Sequence, residues 1–454
     1  MLKKLWEKIK EVIGGMFKRT TLTNYVGENI VLTDSMVKRI ELWESMLIGK
    51  APWIKEDIQS MGLEKAICQE FANVCLSEME TRIEGNDRLD EIYQKAIKQL
   101  NEGLQDGLAL GSLIIKPLGQ EGDVEFVIAS KIVPLNYNAE GKLTSMAIIQ
   151  EKVMTEDTTL YRFEYHTLTK EGLEIRNEAY KGTKGEIGRR VELNVVEEWA
   201  NLPEEVLYPG MNRLDYGFYR NPIANRIDRS FNGVSIYENA VEQIKRADRQ
   251  NARLEWEFES SERMVFADYT TVKSNADRTK NKAGHSMKLP EGKDRLIVGI
   301  DIEDKLDTFN PAIREVNFIN GLNEYLRRVE FNCCLAYGDL SKSEIVERTA
   351  TEIKTSKKRK YDMVNAIQSN LRDCLEDLAY ALAFYNEMFT TNFNFVCDFK
   401  DSILTDEETE RNQDRLDLAS GIMSPVEYRM KWYNEDEETA KSKLPNADDN
   451  GVKD

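Results

Sequence analysis

The sequence predicts an α+β fold, and three observations predict it. Apolar side chains recur at intervals of three and four between residues 34 and 110, as in amphipathic helices. Around Gly107 the period changes to two, and alternating segments follow, as in half-buried antiparallel strands. From residue 235 the helical period returns, interrupted once by a short strand-bearing insertion.

The 454-residue chain is long enough for two or three domains with a sizeable core. Charged residues make up 31% and hydrophobic residues 41%, a soluble globular balance. A formal net charge of −18 leaves no broad positive surface for tight, static duplex binding. A surface that DNA slides past is a different case, since strong phosphate contacts would hinder movement. The cysteines, Cys68, Cys75, Cys333, Cys334, Cys374 and Cys397, form no C-x-x-C pair, which fits a reducing cytosol rather than a disulfide framework. His166 and His285 are far apart, so no His cluster for zinc or for a nucleophile–base pair is encoded. No apolar run reaches the roughly 18–20 residues of a bilayer span. The N-terminus also lacks the apolar core and small residues of a signal peptide.

Residues 1–19 give a basic amphipathic helix, with Leu2, Leu5, Trp6, Ile9, Val12, Ile13, Met16 and Phe17 on one side and Gly14-Gly15 interrupting it. It can lie on a membrane surface or dock on protein. Met36, Ile40, Trp43 and Leu47 make the next stripe, and Leu63, Ile67, Phe71, Val74 and Cys75 another. Leu89, Ile92, Tyr93, Ala96, Ile97 and Leu100 make a third. Cys68 and Cys75 share a helix face and are expected in the core. GSLIIKP, DVEFVIASKIVPL, LTSMAIIQEKV, TLYRFEYHTLT and LEIRNEAYK read as strands, with turns at NAEGK and TKEG. In TLYRFEYHTLT, Leu160, Arg162, Glu164 and His166 alternate with Tyr161, Phe163, Tyr165 and Thr167, so His166 is expected on a polar outer face with no chemical duty.

Ile236, Tyr237, Ala240, Val241, Ile244 and Ala247 begin a helix whose end is blurred, because Leu254, Trp256 and Phe258 alternate with charges. MVFADY and RLIVGIDI are short strands around the polar loop KSNADRTKNKAGHSMKLPEGKD. Asn310 as N-cap with Pro311 in the first helical position predicts the next helix start. Its stripe is Ile313, Val316, Ile319, Leu322, Leu326, Val329 and Cys333. Thr349 and Glu352 form a capping box for a long helix through Val364, Ile367, Leu371, Cys374, Leu378, Leu382, Tyr385 and Phe389. NFNFVCDF reads as a closing strand. Thr405 with Glu408 makes another capping box, and Ser424-Pro425-Val426-Glu427 opens a short helix. Residues 401–454 hold 15 acidic against 7 basic residues, and disorder is expected from about Ala440.

Signatures of catalysis are absent. There is no G-x-x-x-x-G-K-[ST] loop and no G-x-S-x-G elbow. Gly103, Gly107 and Gly111, four apart, read as close-packing positions. The basic run Lys354, Lys357, Lys358, Arg359 and Lys360 is either a contact for DNA or an acidic neighbour, or a solvated stretch of helix; the solvated reading is the expectation. Cys333-Cys334 is expected to supply a buried small residue rather than redox chemistry.

Three motifs in order resemble the portal proteins of tailed bacteriophages, especially those of Gram-positive siphophages. Gly233-Val234-Ser235-Ile236-Tyr237-Glu238-Asn239-Ala240 resembles the start of the first stem helix. Asn310-Pro311-Ala312-Ile313-Arg314 resembles the start of the second, and Thr349-Ala350-Thr351-Glu352 the start of the long wing helix. The resemblance covers nearly the whole chain. It departs from relatives at DLSKSEIVER, before Thr349, where they often carry glycine. It implies a basic N-terminal helix (1–20), a wing body (21–232), a first stem helix (233–262), a clip (263–309) and a second stem helix (310–336). A tunnel loop (337–348), the long wing helix with its closing strand (349–400), a helical acidic crown (401–440) and a disordered tail (441–454) follow.

The resemblance further implies a non-enzymatic ring, commonly of twelve subunits, with no cofactor or metal. Such a ring belongs to the virion and is assembled in the bacterial cytoplasm. It serves DNA packaging, head–tail joining and DNA ejection. Its partners are a packaging-motor large terminase, a head–tail adaptor, the major capsid and scaffolding proteins, and weakly bound double-stranded DNA. Lys245, Arg249 and Arg253 on the first stem helix and Lys342 on the loop are the candidates for facing DNA. Gly233, Ser235, Asn310, Pro311, Thr349 and Glu352 are the assembly-motif residues, with Gly233 expected to supply backbone freedom before the stem. Ile313, Ile319 and Leu326 are expected to be buried between subunits. Two alternatives stay open: a peripheral membrane scaffold anchored by residues 1–19, and a carboxylate-metal nuclease.

Overall fold

The computed structural model describes residues 22, 25–26, 30–77, 79–155, 157–261, 264–268, 296–299, 306–309, 311–342, 350–388, 392–399, 407–433 and 435–444. For 264–268, 296–299, 306–309, 350–356 and 407–410 it describes the backbone alone. The expected helix at 1–20, the polar loop with His285, Asn310, Thr349, the side chains of Glu352 and Lys354, Phe389, the Thr405–Glu408 capping box and residues 445–454 lie outside these. The described residues form an α+β structure.

Four helices open the body: α1 (Asp34–Leu47), α2 (Leu63–Leu76), α3 (Asp87–Ala96) and α4 (Leu100–Leu110). Thr33 caps α1 by accepting the Met36 N–H (3.2 Å), and Asn86 caps α3 by accepting that of Leu89 (3.1 Å). The expected stripes are the buried ones, including Met36, Ile40, Trp43, Ile67, Phe71, Cys68 and Cys75. The third stripe divides between two helices, since α3 stops at Ile97 and Leu100 opens α4. The segment Met79–Glu84 is a strand, β1, not helix; Met79, Thr81 and Ile83 face inward and Glu80, Arg82 and Glu84 outward. It pairs antiparallel with β14 (Asn394–Phe399), the expected closing strand. Thr81 also donates to the Val396 carbonyl, 315 residues away. No local pattern announces so distant a partner.

Strands β2 (Ser112–Pro117) and β3 (Val124–Ile128) join β10 (Gly217–Arg220) in one antiparallel sheet, ordered β10-β2-β3. The larger sheet runs β4 (Ile132–Tyr137), β5 (Leu143–Thr155), β6 (Thr158–Leu168), β7 (Gly172–Thr183) and β8 (Glu186–Val191). Strand β9 (Glu205–Pro209) shares the outer edge of β7, pairing with residues 172–176 while β8 pairs with 179–183. The strands expected from alternation are present; β8, β9 and β10 are additional. The long helix α7 (Ala350–Tyr385) packs on β10, β2, α2 and α3, burying Val364, Ile367, Leu371, Cys374, Leu378 and Leu382.

This packing overturns the half-buried reading of β6. Tyr161, Phe163 and Tyr165 face the main core, as alternation predicts. The opposite side is covered as well: Leu160 packs with Leu193, Val196 and Trp199. Arg162, Glu164 and His166 lie in a sealed ionic cluster rather than in water. Lys116 reaches Glu164 at 2.5 and 2.6 Å, and Arg162 donates to Glu164 at 2.9 Å. His166 contacts Asp215 through Nδ1 (2.8 Å) and Glu164 through Nε2 (3.2 Å), and Tyr385 of α7 donates to Asp215 (2.6 Å). A buried charge is tolerable only when paired in this way. Burial opposes the His166 charge, but Asp215 and Glu164 outweigh it and raise its pKa to about 9. Burial likewise opposes charge on Glu164, and Lys116, His166 and Arg162 overcome it, holding the carboxyl well below its usual range.

Three short helices end the described chain: α8 (Glu407–Ala419), α9 (Pro425–Tyr433) and α10 (Glu437–Ser442). At the expected helix start, Ser424 and Glu427 form a capping box, each side chain accepting the other's backbone N–H at 3.2 and 2.8 Å. Helix α10 runs past Ala440, to Ser442. Asp436 caps α10, and Ala440 is buried where α10 packs on α9.

The ionic cluster gives stability a pH dependence of definite sign. His166 contributes fully below its unfolded pKa of about 6.5 and loses that contribution as pH rises through about 9. Glu164 contributes above its ordinary 4.5 and loses that as pH falls through its depressed value. His166→Gln is expected to cost on the order of a few kcal/mol at pH 6 and to flatten the decline between pH 6.5 and 9. Urea unfolding at both pH values measures this, and a variant with the wild-type slope refutes a charged His166.

Candidate assembly surface

The approach to the helical hairpin is fixed by one close contact of backbones. Helix α4 ends on Gly111 at φ 91°, in the left-handed region. A Cβ on Gly233 would stand 2.0 Å from the Gly111 carbonyl oxygen and 2.3 Å from Ser112 Oγ. Gly233 itself lies outside the left-handed region. It is required by close approach, therefore, and the expectation of backbone freedom is corrected. Asn221, buried alongside, donates to the carbonyls of Leu108 (2.8 Å) and Val234 (2.9 Å). The turns before it are held by Asn225 and Asp228: Asn225 Nδ2 donates to Asp228 (2.8 Å), which also accepts from Ser230 (2.7 Å) and Thr33 (2.7 Å).

Residues 234–240 dock on α1 instead of beginning a free helix. Ser235 is buried and its Oγ accepts the Tyr237 N–H (3.3 Å). Tyr237 donates to the Trp43 carbonyl (2.9 Å), and Glu238 accepts from Trp43 Nε1 (2.7 Å) and from Arg39. Helix α5 then spans Val241–Ser260 in one piece, through the alternating stretch. Its root is fastened by Asp248, which accepts from Trp53 Nε1 (2.8 Å) and the Met61 N–H (2.9 Å). Glu64 is buried nearby, and burial pushes its carboxyl up to about 7, with Asp248 adding to the effect.

Beyond α5 comes a three-stranded sheet. Strand β11 (Met264–Asp268) is parallel to β12 (Leu296–Gly299) and antiparallel to β13 (Leu306–Phe309), the last unforeseen. The chain returns as α6 (Glu315–Asn332). The start expected at Asn310-Pro311 is thus too early: Pro311 to Arg314 are not helical. Glu257 of α5 explains the shift, because it accepts both the Arg314 N–H (3.1 Å) and its guanidinium (3.0 and 2.7 Å), holding Arg314 outside the helix. Gln250 donates to the Phe318 carbonyl (3.3 Å), so α5 and α6 run antiparallel in a fixed register.

The α6 stripe divides in two. Val329 and Cys333 are buried, and Leu322 and Leu326 pack partly against the main core. Val316 is 60% exposed and Ile319 41%, and Ile313 beside them is also bare. At about 100° per residue, Val316 and Ile319 lie opposite Phe318 and Gly321, which face α5. On α5 the outer side, away from α6, carries Arg249, Ala252, Arg253 and Trp256, which wall an open groove with the turn Glu56–Gln59. Trp256 is 67% exposed. The hairpin thus presents two different bare faces on opposite sides.

The basic candidates do not form one cluster. Arg249 and Arg253 are exposed in that groove. Lys245 is half-buried, 5.9 Å from the Trp53 ring and 3.5 Å from Glu242, so it does not project freely. Lys342 is exposed in the turn after α6, its N–H donating to Asn323 (2.7 Å). The turn is built around Glu330, a fully buried carboxylate that accepts the N–H groups of Gly338 (3.0 Å), Leu340 (2.7 Å) and Ser341 (2.7 Å). The basic run is only partly solvated. Lys357 and Lys358 are exposed, but Lys360 is buried between Glu70 (2.5 Å) and Asp339 (3.0 Å). Arg359 lies between the rings of Phe331 and Tyr337. Glu257, Glu330 and Phe331 carry no periodic signal in the sequence, because their partners are not at helical spacing.

No protein-family model matches the chain, and no curated protein matches it either. Among the described residues, no group of three His, Cys, Asp or Glu is placed to hold a metal ion, and no helix is long and apolar enough to cross a membrane.

Gly233→Val is expected to cost roughly 1–3 kcal/mol or more by overpacking, because the Gly111 backbone cannot yield as a side chain tip could. Urea unfolding of the two proteins tests this, and an unchanged midpoint refutes the close-contact role.

Proposed function

We propose that this chain is a subunit of a phage portal ring, a channel at one capsid vertex through which DNA is packaged and ejected. The observation that carries the reading is the two-helix rod with dissimilar bare faces on opposite sides. When the apolar face of α6 in one copy meets the Trp256 groove of the next, each copy still offers one unused face. Contacts of this head-to-tail kind repeat until rotation closes a ring. Burying Val316, Ile319 and Trp256 supplies the apolar drive. The small sheet at the rod's far end and the acidic helices α8–α10 lie apart from this contact in sequence, which leaves them for other partners. By this reading those partners are the packaging motor, a head–tail adaptor and capsid components, and the ring is assembled in the bacterial cytoplasm.

The channel acts by electrostatics alone. Acidic walls repel phosphate and centre the duplex, while Arg249 and Arg253 give brief contacts. No chemical step and no cofactor is required.

Purified protein is expected to form annular particles in negative stain and a single large species in sedimentation. Val316→Asp with Ile319→Asp should lower the assembled fraction about tenfold or more, with the circular dichroism of the subunit unchanged, since both side chains are already solvated in the single chain. Binding to linear duplex should be weak and fall steeply with salt. A chain that stays monomeric at high concentration, or binds duplex at nanomolar strength in physiological salt, sinks the proposal.

A further inference from the structure

A cavity of about 500 Å³ lies where the turn between β4 and β5, the approach to β10 and one face of α7 meet. That volume is in the range of small-ligand sites. Leu143, Leu168, Leu214, Tyr216 and Phe218 give it an apolar lining. Charges of opposite sign come from different elements: Asp373 and Asp377, one turn apart on α7, and Lys142 and Arg220 from the turn and from β10. Lys142 and Asp373 are exposed. Asp377 is half-buried; Arg213 meets it at 3.4 Å and is shared with Glu376 at 3.2 Å. Arg220 donates to the Phe231 carbonyl (2.9 Å), a neutral partner that leaves its charge in place. Tyr216 is 1% exposed, and its hydroxyl has no hydrogen-bond partner among the described residues, which include every residue lining the cavity. Asp215, its neighbour in the chain, turns to His166 and Tyr385 instead. Buried polar groups are nearly always paired.

We propose that this cavity binds an aromatic zwitterion with a hydroxyl at the ring tip, the chemistry of free tyrosine. The ammonium meets Asp373 and Asp377, and the carboxylate meets Lys142 and Arg220. The ring lies on the apolar lining, with its hydroxyl toward that of Tyr216, where each can donate or accept. Burial of the ring supplies the drive, and the polar groups fix the orientation. A rim of one sign selects a simple anion or cation; a rim of both signs repels one end of either and suits a ligand that carries both charges. A peptide segment brings the same ring without the paired charges. No residue of α5 or α6 lines the cavity, so ligand binding is independent of ring assembly.

The test is calorimetric titration of the full chain with tyrosine and its analogues. Tyrosine is expected to bind at one site per chain. Tyramine, which lacks the carboxylate, hydroxyphenylpropionate, which lacks the ammonium, and phenylalanine should each bind about tenfold or more weakly. Asp373→Asn and Lys142→Met should each weaken tyrosine by a similar factor; both positions are exposed, so these variants report on binding rather than folding. Tyr216→Phe should abolish the preference for tyrosine over phenylalanine with no fall in the urea midpoint, because the hydroxyl has no partner to lose. A wild-type chain that does not bind tyrosine overturns the assignment, as does undiminished binding of an analogue lacking either charge. Acetyltyrosine amide binding as tightly as tyrosine also overturns it, giving the cavity to a peptide segment. A chain that binds tyrosine but stays monomeric sinks the ring reading and leaves this site standing.

Discussion

At Gly111 and Gly233 two backbones touch with no side chain between them, and the placement of everything beyond depends on that contact. It brings the end of α4 against the approach to α5 and lets Asn221 bridge both strands of chain. From there Tyr237 and Glu238 lock onto α1, and Asp248 locks onto the turn before α2. The root of the hairpin is therefore tied to the body at several points. Its orientation is set by hydrogen bonds that accept no sliding, whereas apolar packing alone tolerates small shifts.

Carboxylates do most of the positioning in this molecule. Glu238 and Asp248 fasten the root of the hairpin, Glu257 fixes its far end, and Glu330 shapes the turn that follows it. Glu164 and Asp215 organise the sealed cluster between the sheets. The acidic composition is thus partly structural. Each such carboxylate accepts two or more N–H or ring donors, which directs the chain more sharply than a surface ion pair does.

The periodic parts of the fold were legible in the sequence. The stripes of α1, α2 and α7 and the strand segments of β2 to β7 are legible at their places, because the two sides of each element differ in character and that difference repeats with the element's period. What escaped was long-range. The short alternation of β1 does not reveal its partner β14, and the true start of α6 depends on Glu257. His166 was misplaced because alternation shows that two faces differ, not that the polar one meets water. In the hairpin, the helices were visible, but which half of the α6 stripe is bare depends on how far the body reaches along it. Lys245 and Lys360 look like free cations in a sequence and are occupied in the fold.

The pairing of β1 with β14 has a temporal consequence. During synthesis, β1 emerges early and waits for a partner that follows almost the whole chain, including both helices of the hairpin. A nascent polypeptide released as far as α6 has already made its apolar outer faces, while β1 remains an open edge and α2 lacks the cover of α7. Such an intermediate is sticky in two ways at once, and closure over so long a loop is slow. Polysomes translating this message therefore hold incomplete chains side by side, so the sequence must reach β14 before its neighbours become templates.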